Sequence, residues 1–244
     1  MQGRAALVTG GSSGIGLAIA RALGEDGYGI TLSARRPDKL EAAAKDLSEA
    51  GIDVQAVPAN MSKEEDIKAL AAAHRERFGR LDVLVNNAGI GIGAPIEQAE
   101  TKKLDIQFDV NLRGVYLMLR ESIPMLKEAG AEHGKALVVN TASIAGKYGQ
   151  PWLSAYSATK HAVVGLSGAA HGELSESGVQ VTALCPGFVE TPMTEWIREQ
   201  VPPEKMIRPE DIAEAVRFLL RTSGSCFVPE IQFLRAGDVP GSGV

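Results

Sequence analysis

The sequence predicts a single α/β domain, with one parallel β-sheet covered by helices on both faces. Strand-like apolar runs alternate with helical patterns almost from end to end, which is the sign of repeated strand, helix, strand units. Several of these runs are nearly continuously apolar, as strands buried on both sides are. The 244 residues suffice for one large core, and no linker, internal repeat or low-complexity tract divides them.

Strands are expected at Ala5 to Thr9, Gly29 to Ala34, Asp53 to Ala59, Asp82 to Asn86, Ala136 to Thr141, Val179 to Cys185 and Phe227 to Leu234. After the first, Ile15, Ala18, Ile19, Ala22 and Leu23 recur at helical spacing and lay one apolar stripe on the sheet. Pro37 stands where a first helical turn tolerates it, and Gly51 and Gly79 follow helix ends. Ser62 and Glu65 have capping-box spacing and mark the start of the third helix. Thr101 and Pro209 are start signals for later helices, and residues 235–244 read as a flexible tail.

Composition narrows the function classes. Hydrophobic residues at 45% and charged residues at 23% are the balance of an ordinary soluble globular protein. A net charge of −5 argues against nucleic-acid binding, which needs clustered Lys and Arg. Cys185 and Cys226 lie far apart, and His74, His133, His161 and His171 share no ligand spacing, so neither a disulfide framework nor a metal site is expected. No apolar run reaches the roughly 18 residues of a membrane helix. Met1 leads through Gly3 and Arg4 into an apolar strand without a long leader. A soluble, cytoplasmic protein with no membrane partner is the expectation.

The segment Ala5-Ala-Leu-Val-Thr-Gly-Gly-Ser-Ser-Gly-Ile-Gly16 places Gly10, Gly14 and Gly16 between the first strand and the first helix. A chain there must turn tightly, let a pyrophosphate approach its backbone and aim free N–H groups and a positive helix end at it. Ser12, Ser13 and Ile15 share that loop. Three residues separate the first two glycines, where the common dinucleotide fingerprint has one.

That spacing joins a series further on. Asn86-Asn87-Ala88-Gly89 follows the fourth strand, Asn111 lies in the next helix and Ser143 follows the fifth strand. Tyr156 and Lys160 form a YxxxK, and Pro186-Gly187 follows the sixth strand. Together and in this order, these motifs closely resemble the short-chain dehydrogenase/reductase family over nearly the whole chain. The resemblance implies a Rossmann-type, doubly wound parallel sheet of seven strands in the order 3-2-1-4-5-6-7 and a nicotinamide cofactor. It implies a catalytic tetrad of Asn111, Ser143, Tyr156 and Lys160. Cofactor contacts are implied for the glycine loop, Asn60, Met61, Asn87, Ala88, Gly89, Tyr156, Lys160, Pro186, Gly187, Val189 and Thr191. Relatives pair through the helices holding Asn111 and Tyr156, so a homodimer or homotetramer is implied. The family's usual Asp after the third strand is replaced here by Asn60, which carries no charge.

The tetrad makes chemical sense residue by residue. A tyrosine with a pKa near 10 is a poor base, and lowering it by about three units requires about 4 kcal/mol of phenolate stabilisation. Lys160, at i+4 from Tyr156, shares its helical face. One cation about 5 Å away at an effective dielectric near 20 supplies roughly 3 kcal/mol. Lys160 is therefore expected to depress the phenol. Ser143 is placed to hydrogen-bond the substrate oxygen as charge develops on it. For Asn111 the resemblance implies an anchor for a proton-relaying water, against the plainer alternative of a helix residue satisfying a nearby backbone group.

The second strand ends Thr31-Leu-Ser-Ala-Arg-Arg-Pro37. An acid there reads the ribose 2′-hydroxyl of NAD. Here Ala34 and Arg35 occupy the site, and forked guanidinium donors suit a 2′-phosphate. Ser33 adds a hydroxyl and Arg36 a second cation, so NADP(H) is expected over NAD(H), although no basic residue stands inside the glycine loop. The loops after the fourth to sixth strands carry Ile90, Ile92, Tyr148, Trp152, Phe188, Met193 and Trp196, which suit a small carbonyl or alcohol substrate with an apolar portion. The expected activity is hydride transfer between carbonyl and alcohol with Tyr156 as general acid/base. A 3-oxoacyl carrier-protein reductase and an idle cofactor-sensing protein on the same fold are the alternatives.

Overall fold

The computed structural model describes residues 3–238. Seven parallel strands form one sheet in the order β3-β2-β1-β4-β5-β6-β7. They are β1 (Ala5–Thr9), β2 (Gly29–Ala34), β3 (Val54–Pro58), β4 (Val83–Asn86), β5 (Ala136–Thr141), β6 (Val179–Pro186) and β7 (Glu230–Phe233). Helices α1 (Gly14–Glu25), α2 (Pro37–Glu49), α3 (Glu64–Phe78), α4 (Thr101–Phe108), α5 (Gly114–His133), α6 (Ser154–Leu174) and α7 (Pro209–Arg221) connect them. The expected topology and strands are present, with β3, β4 and β7 shorter at their ends and β6 one residue longer.

Strand periodicity divides the core. Ala6 and Val8 of β1 face a cluster with Ile19 and Leu23 of α1, Leu40 and Leu47 of α2, and Ile212 and Val216 of α7. Leu7, between them, faces the opposite cluster with Ile67 and Leu70 of α3 and Leu117 and Met118 of α5. Both faces are thus covered, which is why β1, β4, β5 and β6 tolerate almost no exposed side chain.

Helix starts follow the sequence signals with one correction. Pro37 and Pro209 open α2 and α7, and Gly79 closes α3 in the left-handed conformation. The Ser62/Glu65 capping box does not form, because the cap residue is Lys63 and makes no side-chain cap bond. The Ser62 backbone N–H and hydroxyl instead both donate to Asn60 Oδ1, at 3.2 and 3.0 Å, closing a local turn one residue early. Within the segment read as a tail, Arg235 pairs with Asp238 at 2.7 Å and lies over the Phe188 ring. Residues 239–244 lie outside the described residues.

Candidate active site

The parallel register brings the C-terminal ends of β1, β4, β5 and β6 together at one edge, and the loops leaving them build the site. At β1 the chain turns through Gly10 at φ +65°. A Cβ there would sit 2.8 Å from Ala88 Cα, so the glycine lets the loops after β1 and β4 touch. Asn87 fastens that contact, its Nδ2 donating to the carbonyls of Thr9 and Gly10, each at 3.2 Å. The Thr9 hydroxyl accepts from the N–H groups of Asn87 and Ala88. Sequence reading passed over Thr9, since a threonine closing a β-strand has no motif of its own.

The α1 N-terminus fits an anionic dinucleotide. Its cap residue Ser13 makes no side-chain cap bond and its first turn holds no acid, so its N–H groups and positive helix end are not neutralised by the helix itself. The buried Ser33 Oγ has no hydrogen-bond partner, next to the point where the Ser33 carbonyl accepts from Gly11 N–H at 2.9 Å. Arg35 and Arg36 are exposed and make no ion pair or side-chain hydrogen bond among the described residues. Thr191 packs against Gly14, where a Cβ would lie 2.8 Å from its methyl carbon. Val189 bridges to Ile207. Asn60 is turned back into its own loop, its N–H bonded to Asp66 at 2.8 Å.

Ser143, Tyr156 and Lys160 converge from the loop after β5 and the first turns of α6. Gly146 makes this fit possible, since a Cβ there would approach the Lys160 carbonyl oxygen to 2.6 Å. The Lys160 ammonium is buried, donates to the Thr141 carbonyl at 2.7 Å and lies 5.6 Å from the centre of the Tyr156 ring.

The electrostatics differ from the sequence expectation. Burial pushes the Tyr156 phenol above its ordinary value, and the Ser143 hydrogen bond only opposes this. Burial also pulls Lys160 down to about 8. The lysine sits over the ring and is tied to a backbone carbonyl, so its charge does not offset the desolvation of the phenol.

Asn111 lies in a π-helical turn, Asp109–Arg113, between α4 and α5, a distortion often found at functional sites. Its Oδ1 accepts from Ile90 N–H and its Nδ2 donates to the Ile90 carbonyl, both at 2.8 Å. A further bond reaches Thr159 Oγ1 at 3.2 Å. These bonds satisfy the Ile90 backbone and clamp the loop after β4. Gln107 repeats the device at Ile92 N–H, 3.1 Å away. Neither Gln107 nor Thr159 was found from sequence, because their partners are distant backbone groups.

The fold and the site define a nicotinamide-dependent type of oxidoreductase. The family model described as short chain dehydrogenase matches residues 4–202, and the chain belongs to that family. A Streptomyces coelicolor relative named "Putative ketoacyl reductase" is 40% identical, covering 88% of this chain and 89% of that protein. A variant actinorhodin polyketide ketoreductase solved with NADPH has a TM-score of 0.87 at 35% identity, over 96% of both chains. A 3-ketoacyl-(acyl-carrier-protein) reductase from Brucella melitensis, complexed with NADH, has a TM-score of 0.87 at 35% identity over 97% of this chain and 98% of that one.

Proposed function

We propose that this chain is an NADP(H)-preferring carbonyl reductase, with Tyr156 as the proton-transferring group. The observation that carries the reading is the meeting of Ser143, Tyr156 and Lys160 at the edge where α1 begins with no acid in its first turn. When bound, the nicotinamide supplies or accepts the hydride. The Ser143 hydroxyl donates to the substrate oxygen and holds it in place. The Tyr156 hydroxyl gives its proton to that oxygen in reduction and takes it back in oxidation. Lys160 binds the ribose hydroxyls and returns a proton toward Tyr156, while Asn111 fixes the loop at Ile90 against which the substrate rests. Arg35 reads the 2′-phosphate, with Ser33 and Arg36 beside it.

In NADPH-dependent ketone reduction, Tyr156→Phe should lose at least about 100-fold in turnover while still binding cofactor. Retention of more than about a tenth of wild-type turnover contradicts the role, since general acid/base groups contribute more.

A second reading, reduction of a 3-oxoacyl group on a carrier protein, is favoured by the ketoacyl reductase relatives. Against it, Arg113 of the π-helical turn and Arg120 of α5 are both held by Glu64, at 3.0 and 2.9 Å, and so do not form a free basic patch for an acidic carrier. Comparing kcat/KM for a free ketone and a carrier-linked 3-oxoacyl chain separates the two. Self-association through α5 and α6 belongs to the same proposal, and sedimentation of the purified chain tests it.

A further inference from the structure

The loops after β5 and β6 carry a row of aromatic rings on the segments that lead to Tyr156 and away from Pro186. Trp152, four residues ahead of Tyr156, packs on Trp196 with ring centres 5.4 Å apart. Trp196, from the segment Pro192–Ile197, meets Phe188 edge-on at 6.2 Å. The Arg235 guanidinium backs Phe188 at 5.5 Å. The loop after β4 closes the other side, for a Cβ on Gly93 would run into the Trp152 ring, and one on Gly91 would lie 3.7 Å from the Tyr156 ring.

Packing of the core does not account for this row. Trp152 and Trp196 remain 48% and 53% exposed, although burial is the usual fate of side chains this large and apolar. Trp152 is also the one non-glycine residue among those described with a positive φ, at +68°, a conformation that costs a bulky residue free energy. Its carbonyl accepts from Ala94 N–H at 2.8 Å, which fixes the strained turn. The fold thus spends stability to hold a half-exposed indole on the turn that leads into Tyr156. Phe188 directly follows Pro186-Gly187, and the Pro186 carbonyl accepts from Ser143 Oγ at 3.4 Å. The row therefore runs from the loop carrying Tyr156 to the loop touching Ser143.

We infer that Trp152 and Trp196 are specificity-determining residues that select carbonyl substrates carrying a flat aromatic ring next to the reacting carbon. This rests on the reductase reading above. Such a ring stacks on the row while the carbonyl reaches Ser143 and Tyr156, and a saturated ring of the same skeleton has no π face to match.

Acetophenone and cyclohexyl methyl ketone share one carbon skeleton and one carbonyl, and separate these cases with NADPH as reductant. Wild type should prefer acetophenone by about tenfold in kcat/KM, and Trp196→Leu should bring the preference to within about twofold, mainly through KM. Trp152→Leu should act alike. If it fails to fold, Trp196→Leu, on the exposed segment, still decides. Because these are the chain's only two tryptophans, intrinsic indole emission reports the row without turnover. Titration with the phenyl-bearing alcohol product should shift it, and the cyclohexyl counterpart should not. Equal turnover of both ketones, or a preference that survives Trp196→Leu, overturns the inference and leaves the reductase reading intact. If neither ketone is reduced while emission still responds to the phenyl alcohol alone, the reductase reading fails and ring recognition stands.

Discussion

The two ends of the sheet treat polar groups in opposite ways. At the N-terminal ends of the strands, the buried Asp82 carboxylate accepts from Ala5 N–H at 2.8 Å and from Arg80 Nε and Nη2 at 2.8 and 2.6 Å. Arg80 pairs further with Glu132, and the buried His74 bonds Thr31 Oγ1 and the Arg80 carbonyl. At the C-terminal ends, Ser33 Oγ, Asn86 Oδ1 and Thr141 Oγ1 are buried without partners among the described residues. There the buried Lys160 ammonium holds only a backbone carbonyl, and Trp152 is strained. One end satisfies its donors and acceptors with the protein itself. The other leaves them uncompensated, at a cost of about 1–3 kcal/mol for each unsatisfied group, as sites made for ligands do.

The largest expected effect is at the satisfied end. Asp82→Ala strands Arg80 and the Ala5 N–H, and should cost about 3–5 kcal/mol in urea unfolding. A loss below about 1 kcal/mol would break the contrast, because exposed ion pairs reach only that size.

His74 gives the next. Burial holds its imidazole down to about 4, below the unfolded value near 6.5. Between these values the unfolded chain binds more protons, so stability is full above about pH 6.5 and falls by about 3 kcal/mol as pH drops to 4. The pH slope of wild type minus that of His74→Leu isolates this contribution, and identical slopes would remove it.

Arg35 sharpens the comparison from the other end. Unlike Arg80 it makes no ion pair among the described residues, so Arg35→Ala should leave the unfolding midpoint unchanged. It should lower kcat/KM for NADPH by about tenfold to a hundredfold and spare NADH, as loss of a charged hydrogen bond worth roughly 1.5–3 kcal/mol would. A wild-type NADPH/NADH ratio below one, or a ratio the substitution does not move, sinks the assignment.

Much of this was legible in the sequence because it is local. Apolar runs, Pro37, Pro209 and the glycine loop act within a few residues, and Tyr156 and Lys160 share a helical face through a spacing of four. What escaped is set by contacts across the chain. The direction of the Tyr156 shift depends on how deeply α6 is buried and on Lys160 turning to the Thr141 carbonyl. Asn111 reads as a helix residue until the fold brings Ile90 to it, 21 residues away in sequence. The failed Ser62 cap has a local cause, since Asn60 competed for the same donors. The strain at Trp152 leaves no trace in composition, since tryptophan is an unexpected occupant of a left-handed turn.

Lys160 tests the contrast most directly. Its buried ammonium, lowered from an ordinary 10.5 to about 8, means that the unfolded chain binds more protons between those values. Below about pH 8 the charged lysine therefore opposes folding by up to about 3 kcal/mol, and this penalty fades as pH rises toward 10.5. The measurement is urea unfolding of wild type and Lys160→Met near pH 7 and near pH 10, with turnover followed alongside. Lys160→Met should be more stable by about 1–3 kcal/mol near pH 7, the gain should shrink near pH 10, and turnover should collapse. A variant less stable than wild type near neutral pH would mean that the lysine holds the fold together, contradicting the division of labour between the two ends.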